Sequence, residues 1–274
     1  QVALFFTGML LVLSSCNQTT ILTTDKSHEE NYYLSEADTA KGSIYINLTV
    51  EIPVCYNDQS IVDSIRACIF SVMFGKEYAT MGVDTVVKRF AANIKKEYRL
   101  NNEPILEMMD SIDRISLYNE HVIEGFSLLS DENIFSYGMN RYVFMAGAHG
   151  LNTRTYFNFN LKNGKQITEK DLFKPGTDSL LVELIKSRIV EERKDDPELD
   201  PIERLEDSDY WVEAIKLNGN FYITDQSINY VYNPYEIAPY YMGQTEVTLP
   251  FDRIKKYLKP KGLIDYLVYP SATN

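Results

Sequence analysis

The chain predicts an α+β fold in which helices pack on one face of antiparallel sheet. Three observations predict it: a period-two strand opening at Ser43, helix-period segments after it, and aromatic-rich alternating stretches separated by turn signals. Residues 43–53 read SIYINLTVEIP, where Ile44, Ile46, Leu48, Val50 and Ile52 alternate with polar neighbours as in a half-buried strand. Over 58–74 the period changes, and Ile61, Val62, Ile65, Cys68, Ile69, Val72 and Met73 fall on one helical stripe. A second helix covers roughly 84–100 with Val87, Phe90, Ile94 and Tyr98 inward, and Pro104 opens a further helical turn. Residues 116–129, 134–145 and 153–161 read as an antiparallel meander, and Asn163-Gly164 as a tight turn. A helix at 178–193, strands at 220–224, 228–232 and 244–249, and a terminal helix at 251–258 complete the pattern.

Ahead of the folded body, residues 2–13 read VALFFTGMLLVL, apolar or small and uncharged. A bilayer span needs about 20 apolar residues, whereas this length suits the hydrophobic region of a signal peptide. The chain begins at Gln1 with neither Met nor a basic stretch, which reads as a sequence clipped at its start. Leu13-Ser14-Ser15-Cys16 then resembles the lipobox of bacterial lipoproteins: small side chains flank the scissile bond, and the Cys16 thiol takes the diacylglycerol. The alternative is an ordinary buried thiol. The expectation is a signal over 1–15, a lipid on Cys16, a flexible polar tether over 16–42 and a body starting at Ser43. Such a body faces the periplasm or the cell surface, held to a bacterial membrane by its lipid.

The net charge of −12 and a pI near 4.8 exclude a basic nucleic-acid face. Residues 191–209 hold ten acids against Arg193, Lys194 and Arg204. That run is either a solvated helix and loop or an acidic patch for a cationic partner. Of the three cysteines, Cys55 and Cys68 either pair in an oxidising compartment or leave Cys68 as a buried thiol.

Catalytic signals are absent. There is no G-x-S-x-G elbow, no H-E-x-x-H, no phosphate-cradling glycine loop, and no Cys or His at metal-ligand spacing. No cofactor is expected. Of three histidines, His28 lies in the tether and His121 in a strand, while His149 sits in Ala146-Gly147-Ala148-His149-Gly150, a turn that its ring can tie through backbone hydrogen bonds. The unusual segment is 221–243, FYITDQSINYVYNPYEIAPYYMG. Pro234 and Pro239 stiffen a loop carrying Tyr235, Tyr240 and Tyr241. Such a loop either packs on the sheet or offers rings to a protein or glycan at low entropic cost.

These residues carry a resemblance. Ala146 to Gly150, Tyr156-Phe157-Asn158-Phe159-Asn160-Leu161 with Gly164-Lys165, Asp171-Leu172-Phe173, and Phe221 through Pro234-Tyr235 and Pro239-Tyr240 to Gly243 resemble the domain of unknown function numbered 3298. The part over 43–141 resembles its usual companion, the domain numbered 4163. Together they are similar to the extracellular domain of RsiV-type lysozyme-sensing anti-sigma factors and PdaC-type polysaccharide deacetylases. Ala146 departs from the pattern, which commonly has glycine there.

The resemblance implies a non-catalytic cell-envelope module with domains at 43–145 and 146–262. Its partner would be a cationic wall-active protein such as lysozyme, or a wall glycan. Tyr235, Tyr240, Tyr241 and His149 are the candidate ligand-binding residues. Two other classes stand beside it: a hydrolase acting on envelope glycans, marked by two carboxylates in one pocket, and a structural envelope lipoprotein.

Overall fold

The alternation at 43–53 forms β2 (Ser43–Cys55). It belongs to a six-stranded sheet with β1 (Leu22–Tyr33), β3 (Asn119–Ser130), β4 (Ile134–Met145), β5 (Leu151–Asn160) and β6 (Lys165–Gln166), ordered as in the chain. This is a computed structural model, and it describes residues 19–36, 39, 41–108, 117–195 and 201–270. Residues 2–13 and Cys16 lie outside the described residues, as do the acids of 196–200. Neighbouring strands run antiparallel except β2 and β3. A parallel pair needs a long crossover, which α1 (Gln59–Met73) and α2 (Val86–Met108) supply across one face. Ile44, Ile46, Leu48, Val50 and Ile52 are buried there with Ile65, Ile69 and Phe70 of α1 and Val86, Ala91 and Ile94 of α2. Asp58 caps α1 by accepting from the Ser60 amide at 2.9 Å. Pro104 lies inside α2 instead of opening a new turn.

The tether expected over 16–42 is corrected by β1, which pairs with the whole of β2 from Leu22 opposite Cys55 to Tyr33 opposite Ser43. The strand hides from a hydrophobicity pattern because it is an edge whose two faces are both polar. Asp25, Ser27, Glu29 and Asn31 stay in water. On the other face Lys26 meets Asp84 at 2.6 Å, Glu30 pairs with Lys95, and Tyr32 sets its ring edge on Tyr98 at 6.3 Å.

A second, antiparallel sheet holds β7 (Phe221–Ile223), β8 (Ser227–Tyr232) and β9 (Thr245–Pro250). Short α3 (Glu169–Leu172), long α4 (Asp178–Asp195) and short α5 (Phe251–Ile254) and α6 (Asp265–Val268) complete the chain. Leu181, Ile185 and Ile189 of α4 share one core cluster with Ile228, Tyr230 and Leu249. The boundary expected at residue 146 falls in the β4–β5 hairpin, within the six-stranded sheet.

Three asparagines join the sheets. Asn158, 1% exposed, donates to Phe221 O at 2.7 Å and accepts from Ile223 N at 3.0 Å and Ser136 Oγ at 2.8 Å. Along the free edge of β5, Asn220 and Asn233 stand in for a missing strand. Tyr156 N donates to Asn220 Oδ1 at 2.9 Å, Arg154 N donates to Asn233 Oδ1 at 2.7 Å, and both amides donate back to Arg154 O. Buried backbone groups without partners are costly, so these amides hold the second sheet in register.

Cys68 is a half-buried free thiol, and burial pushes its pKa up; it is not paired with Cys55. Among the described residues no helix is long and apolar enough to cross a membrane.

Candidate binding surface

Strand register defines two ends of the six-stranded sheet. Tyr33, Ser43, Asn119, Met145 and Leu151 mark the hairpin end; Leu22, Cys55, Ser130, Ile134 and Asn160 mark the opposite, leading end. The proline-stiffened loop between β8 and β9 closes on the hairpin end. It is tied below by Asn233 and by buried Ile237, whose carbonyl accepts from Trp211 N at 2.7 Å. Tyr235 N donates to Ala238 O and Gly243 N to Tyr240 O, so the loop consists of tight turns. From it the Tyr240 phenol donates to Gly150 O at 2.6 Å. Its ring stacks on exposed His149 at 3.8 Å and 19°, and Tyr235 lies against it at 5.6 Å. His149 Nδ1 lies 3.1 Å from Gly150 O. Tyr241 is 71% exposed and donates to Asp209, whose carboxylate pushes the phenol's pKa up.

Backbone strain concentrates here. Ala146 has φ 48° and Tyr235 φ 70°, in the left-handed region that favours glycine. The departure of Ala146 from the glycine of the resembled pattern therefore falls on a conformation glycine adopts freely.

The rings continue onto the sheet face opposite the helices. Tyr142 lies where a side chain on Gly150 would project, and Tyr118 meets Phe144 at 5.9 Å. Strand alternation places Tyr45 of β2, Glu120 and Glu124 of β3, and Glu29 of β1 on that face. Their partners are neutral: Tyr45 Oη donates to Glu29 at 2.9 Å, Tyr118 Oη to Glu120 at 3.1 Å and Asn140 Nδ2 to Glu124 at 3.3 Å.

Residues 170–252 match the model of the DUF3298 family, a protein family of unknown function. That stretch contains Tyr235, Tyr240 and Tyr241; His149 lies before it. The fold is similar to the crystal structure of a DUF3298 family member from Bacteroides fragilis NCTC 9343, with TM-score 0.78 and 26% identity over 90% of this chain and 97% of that one. A DUF3298 family protein from Pseudomonas aeruginosa PAO1 shares the fold alone, with TM-score 0.55 and 12% identity over 91% of this chain and 97% of that one. No curated protein matches.

The four ring-bearing residues picked from the sequence thus meet at one end: His149, Tyr235 and Tyr240 as a stack, Tyr241 beside them on Asp209. The acidic run at 191–209 is different. Arg188 takes both Glu191 and Glu192, at 2.6 and 2.7 Å, while Lys194 meets Glu203 at 3.2 Å and Arg204 lies beside Glu206. Part of that charge is thus paired, with Arg188 from just before the run, whereas Glu29, Glu120 and Glu124 on the open sheet face have neutral partners. Sequence reading missed those three together with Tyr45, Tyr118 and Tyr142. The polar half of the 43–53 alternation signalled an open face, but its neighbours become visible only once strands pair. Among the described residues no three His, Cys, Asp or Glu are grouped to hold a metal ion.

Proposed function

We propose that this chain is a non-catalytic binding module of the bacterial cell envelope, held to a membrane through Cys16, whose hairpin end receives a cationic wall-active protein of the lysozyme kind. The observation that carries the reading is the exposed His149–Tyr240–Tyr235 stack continuing into a sheet face whose carboxylates have neutral partners. Aromatic rings held by a stiff loop supply contact area at low entropic cost, and uncompensated carboxylates steer a cationic partner. The resemblance to RsiV-type lysozyme-sensing domains, with the part over 43–141 as their companion region, supports the same partner.

Two measurements test it. Titration calorimetry of the chain with lysozyme, at low and at physiological salt, is expected to give a complex that weakens as salt rises. No heat and no complex at either salt removes this partner. For the anchor, the mass of the peptide bearing Cys16 is expected to include a diacylglycerol. A bridge from Cys16 to Cys55 consumes the same thiol, and finding one contradicts the anchor.

A further inference from the structure

Three buried side-chain polar atoms among the described residues make no hydrogen bond: Asn140 Oδ1, Arg141 Nε and Tyr230 Oη. The first two belong to groups bonded elsewhere, Asn140 Nδ2 to Glu124 and the Arg141 guanidinium to Met73 O. The Tyr230 phenol has one polar atom, so its whole hydrogen-bonding capacity is unspent. Other buried tyrosines differ. Tyr98, Tyr137 and Tyr232 donate to Leu117 O at 2.7 Å, Glu51 O at 2.9 Å and Lys216 O at 2.9 Å. Burying a hydroxyl without a partner is costly, and folded proteins rarely do it. We infer that Tyr230 belongs to a binding site for a neutral sugar, in the recess that Glu169 and Asp178 line beside the first turn of α4. The site is separate from the hairpin end and does not depend on an anchor.

The recess measures about 460 Å³, and Glu169, Phe173, Pro175, Asp178, Leu217 and Gly219 form its walls. That volume lies within the range of small-ligand sites. Two acids converge on the phenol. Burial first, then Glu169, Tyr232 and Asp178, raise its pKa, so it stays protonated and is a donor without an acceptor. Glu169 is fixed in place, because its Oε1 accepts from Gly219 N at 2.8 Å; Asp178 is exposed at the start of α4. A ligand hydroxyl between these groups meets both needs: its oxygen accepts from Tyr230, and its proton goes to a carboxylate. A vicinal pair of hydroxyls serves both acids, and hydrogen bonds to ionised acceptors are the stronger kind. Charge does not select an ion, since Lys170 and Lys174 line the same recess and offset Glu169 and Asp178. Phe173, Pro175 and Leu217 supply an apolar wall for the C–H face of a sugar ring. Gly176 and Gly219 are held at φ 80° and 73°, and a side chain on either would meet nothing within 4 Å, so the recess stands open. Past Asp178 and Leu217 it continues into a second recess of about 450 Å³, which leaves room for a further sugar unit.

The test is an NMR titration of the chain with glucose, cyclohexanol and methylammonium, read at the amides of Gly176 and Gly219. Glucose is expected to shift both saturably, with a dissociation constant on the order of 1 mM for a ligand of its size. Tyr230→Phe should weaken glucose about tenfold, the effect of one lost hydrogen bond, and leave the melting temperature of the free chain unchanged or higher. Asp178→Asn should weaken glucose by a similar factor, whereas Glu213→Gln, in the second recess, should not. No saturable shift with glucose overturns the inference. So does an equal response to cyclohexanol, which makes the recess merely apolar, or a response to methylammonium in place of glucose, which makes it a cation seat. A lower melting temperature of the free Tyr230→Phe chain also overturns it, because the hydroxyl would then be bonded within the fold.

Discussion

The hairpin end and the leading end of the sheet are made by the same strands and carry opposite chemistry. At the hairpin end, stacked rings sit beside carboxylates held by neutral donors; at the leading end, where Tyr266 donates to Asp131, Lys174, Lys255, Lys259 and Lys261 surround a recess. Net charge alone describes neither. The difference teaches that a strand can serve two surfaces about 35 Å apart, since ten to twelve residues at about 3.3 Å each separate its ends. Each end is then completed by a different piece of the C-terminal chain: the Tyr235–Tyr241 loop at one, α5 to α6 at the other.

Removing what joins the two halves should break the comparison altogether. Asn158→Ala leaves Phe221 O, Ile223 N and Ser136 Oγ without their partner in a buried place. We expect a loss of about 3 kcal/mol in denaturant unfolding, since each buried unsatisfied group costs about 1–3 kcal/mol. A loss under about 1 kcal/mol means that the amide is dispensable.

The hairpin end alone is tested by Tyr240→Ala, which removes the stack with His149 and Tyr235. Lysozyme affinity should fall by about 2 kcal/mol, the range of an aromatic hot spot, chiefly through faster dissociation. Loss of folding in place of affinity would make Tyr240 a packing residue. Changing Glu29, Glu120 and Glu124 together to Gln should slow association several-fold at low salt and leave dissociation alone, because exposed charge acts on encounter. Stopped-flow rates that do not change would return the steering role to the 191–209 run.

Two smaller effects sharpen the picture. Ala146→Gly should stabilise the molecule by up to about 1 kcal/mol, because a left-handed residue with a side chain costs about 1–2 kcal/mol and glycine gives part of that back in chain entropy. A lower melting temperature would contradict the strain assigned to that turn. His121 of β3 has its pKa lowered, first by burial and then by Arg141. The folded state favours neutral imidazole, so the contribution is complete above the ordinary value near 6.5 and is lost as pH falls through it toward the folded value. Melting curves from pH 7.5 to 5 should show His121→Gln losing less stability on acidification than the parent chain; parallel curves contradict it.

What the sequence made legible follows from where apolar contrast exists. The stripe of α1 and the alternation of β2 bury Ile, Leu and Val against one core, so their periods stand out. β1 does not, because Glu29 faces water and Glu30 faces Lys95, and a polar residue on each face leaves no period to read. The joint at Asn158, Asn220 and Asn233 was invisible for a related reason: amides replacing a strand look like ordinary loop residues until the edge they cap is known. Prolines 234 and 239 marked the Tyr235–Tyr241 loop, yet only the hydrogen bond from Tyr240 to Gly150 brings it to His149. The lysine recess draws on residues from 174 to 261, which no local pattern connects.

The central claim is that partner binding belongs to the hairpin end. Hydrogen exchange of the chain with and without lysozyme tests it most directly. Protection should appear at 118–122, 142–151 and 233–243, with no change at 172–176 and 255–262. Protection confined to the leading end, or to the 201–209 part of the acidic run, would contradict the claim.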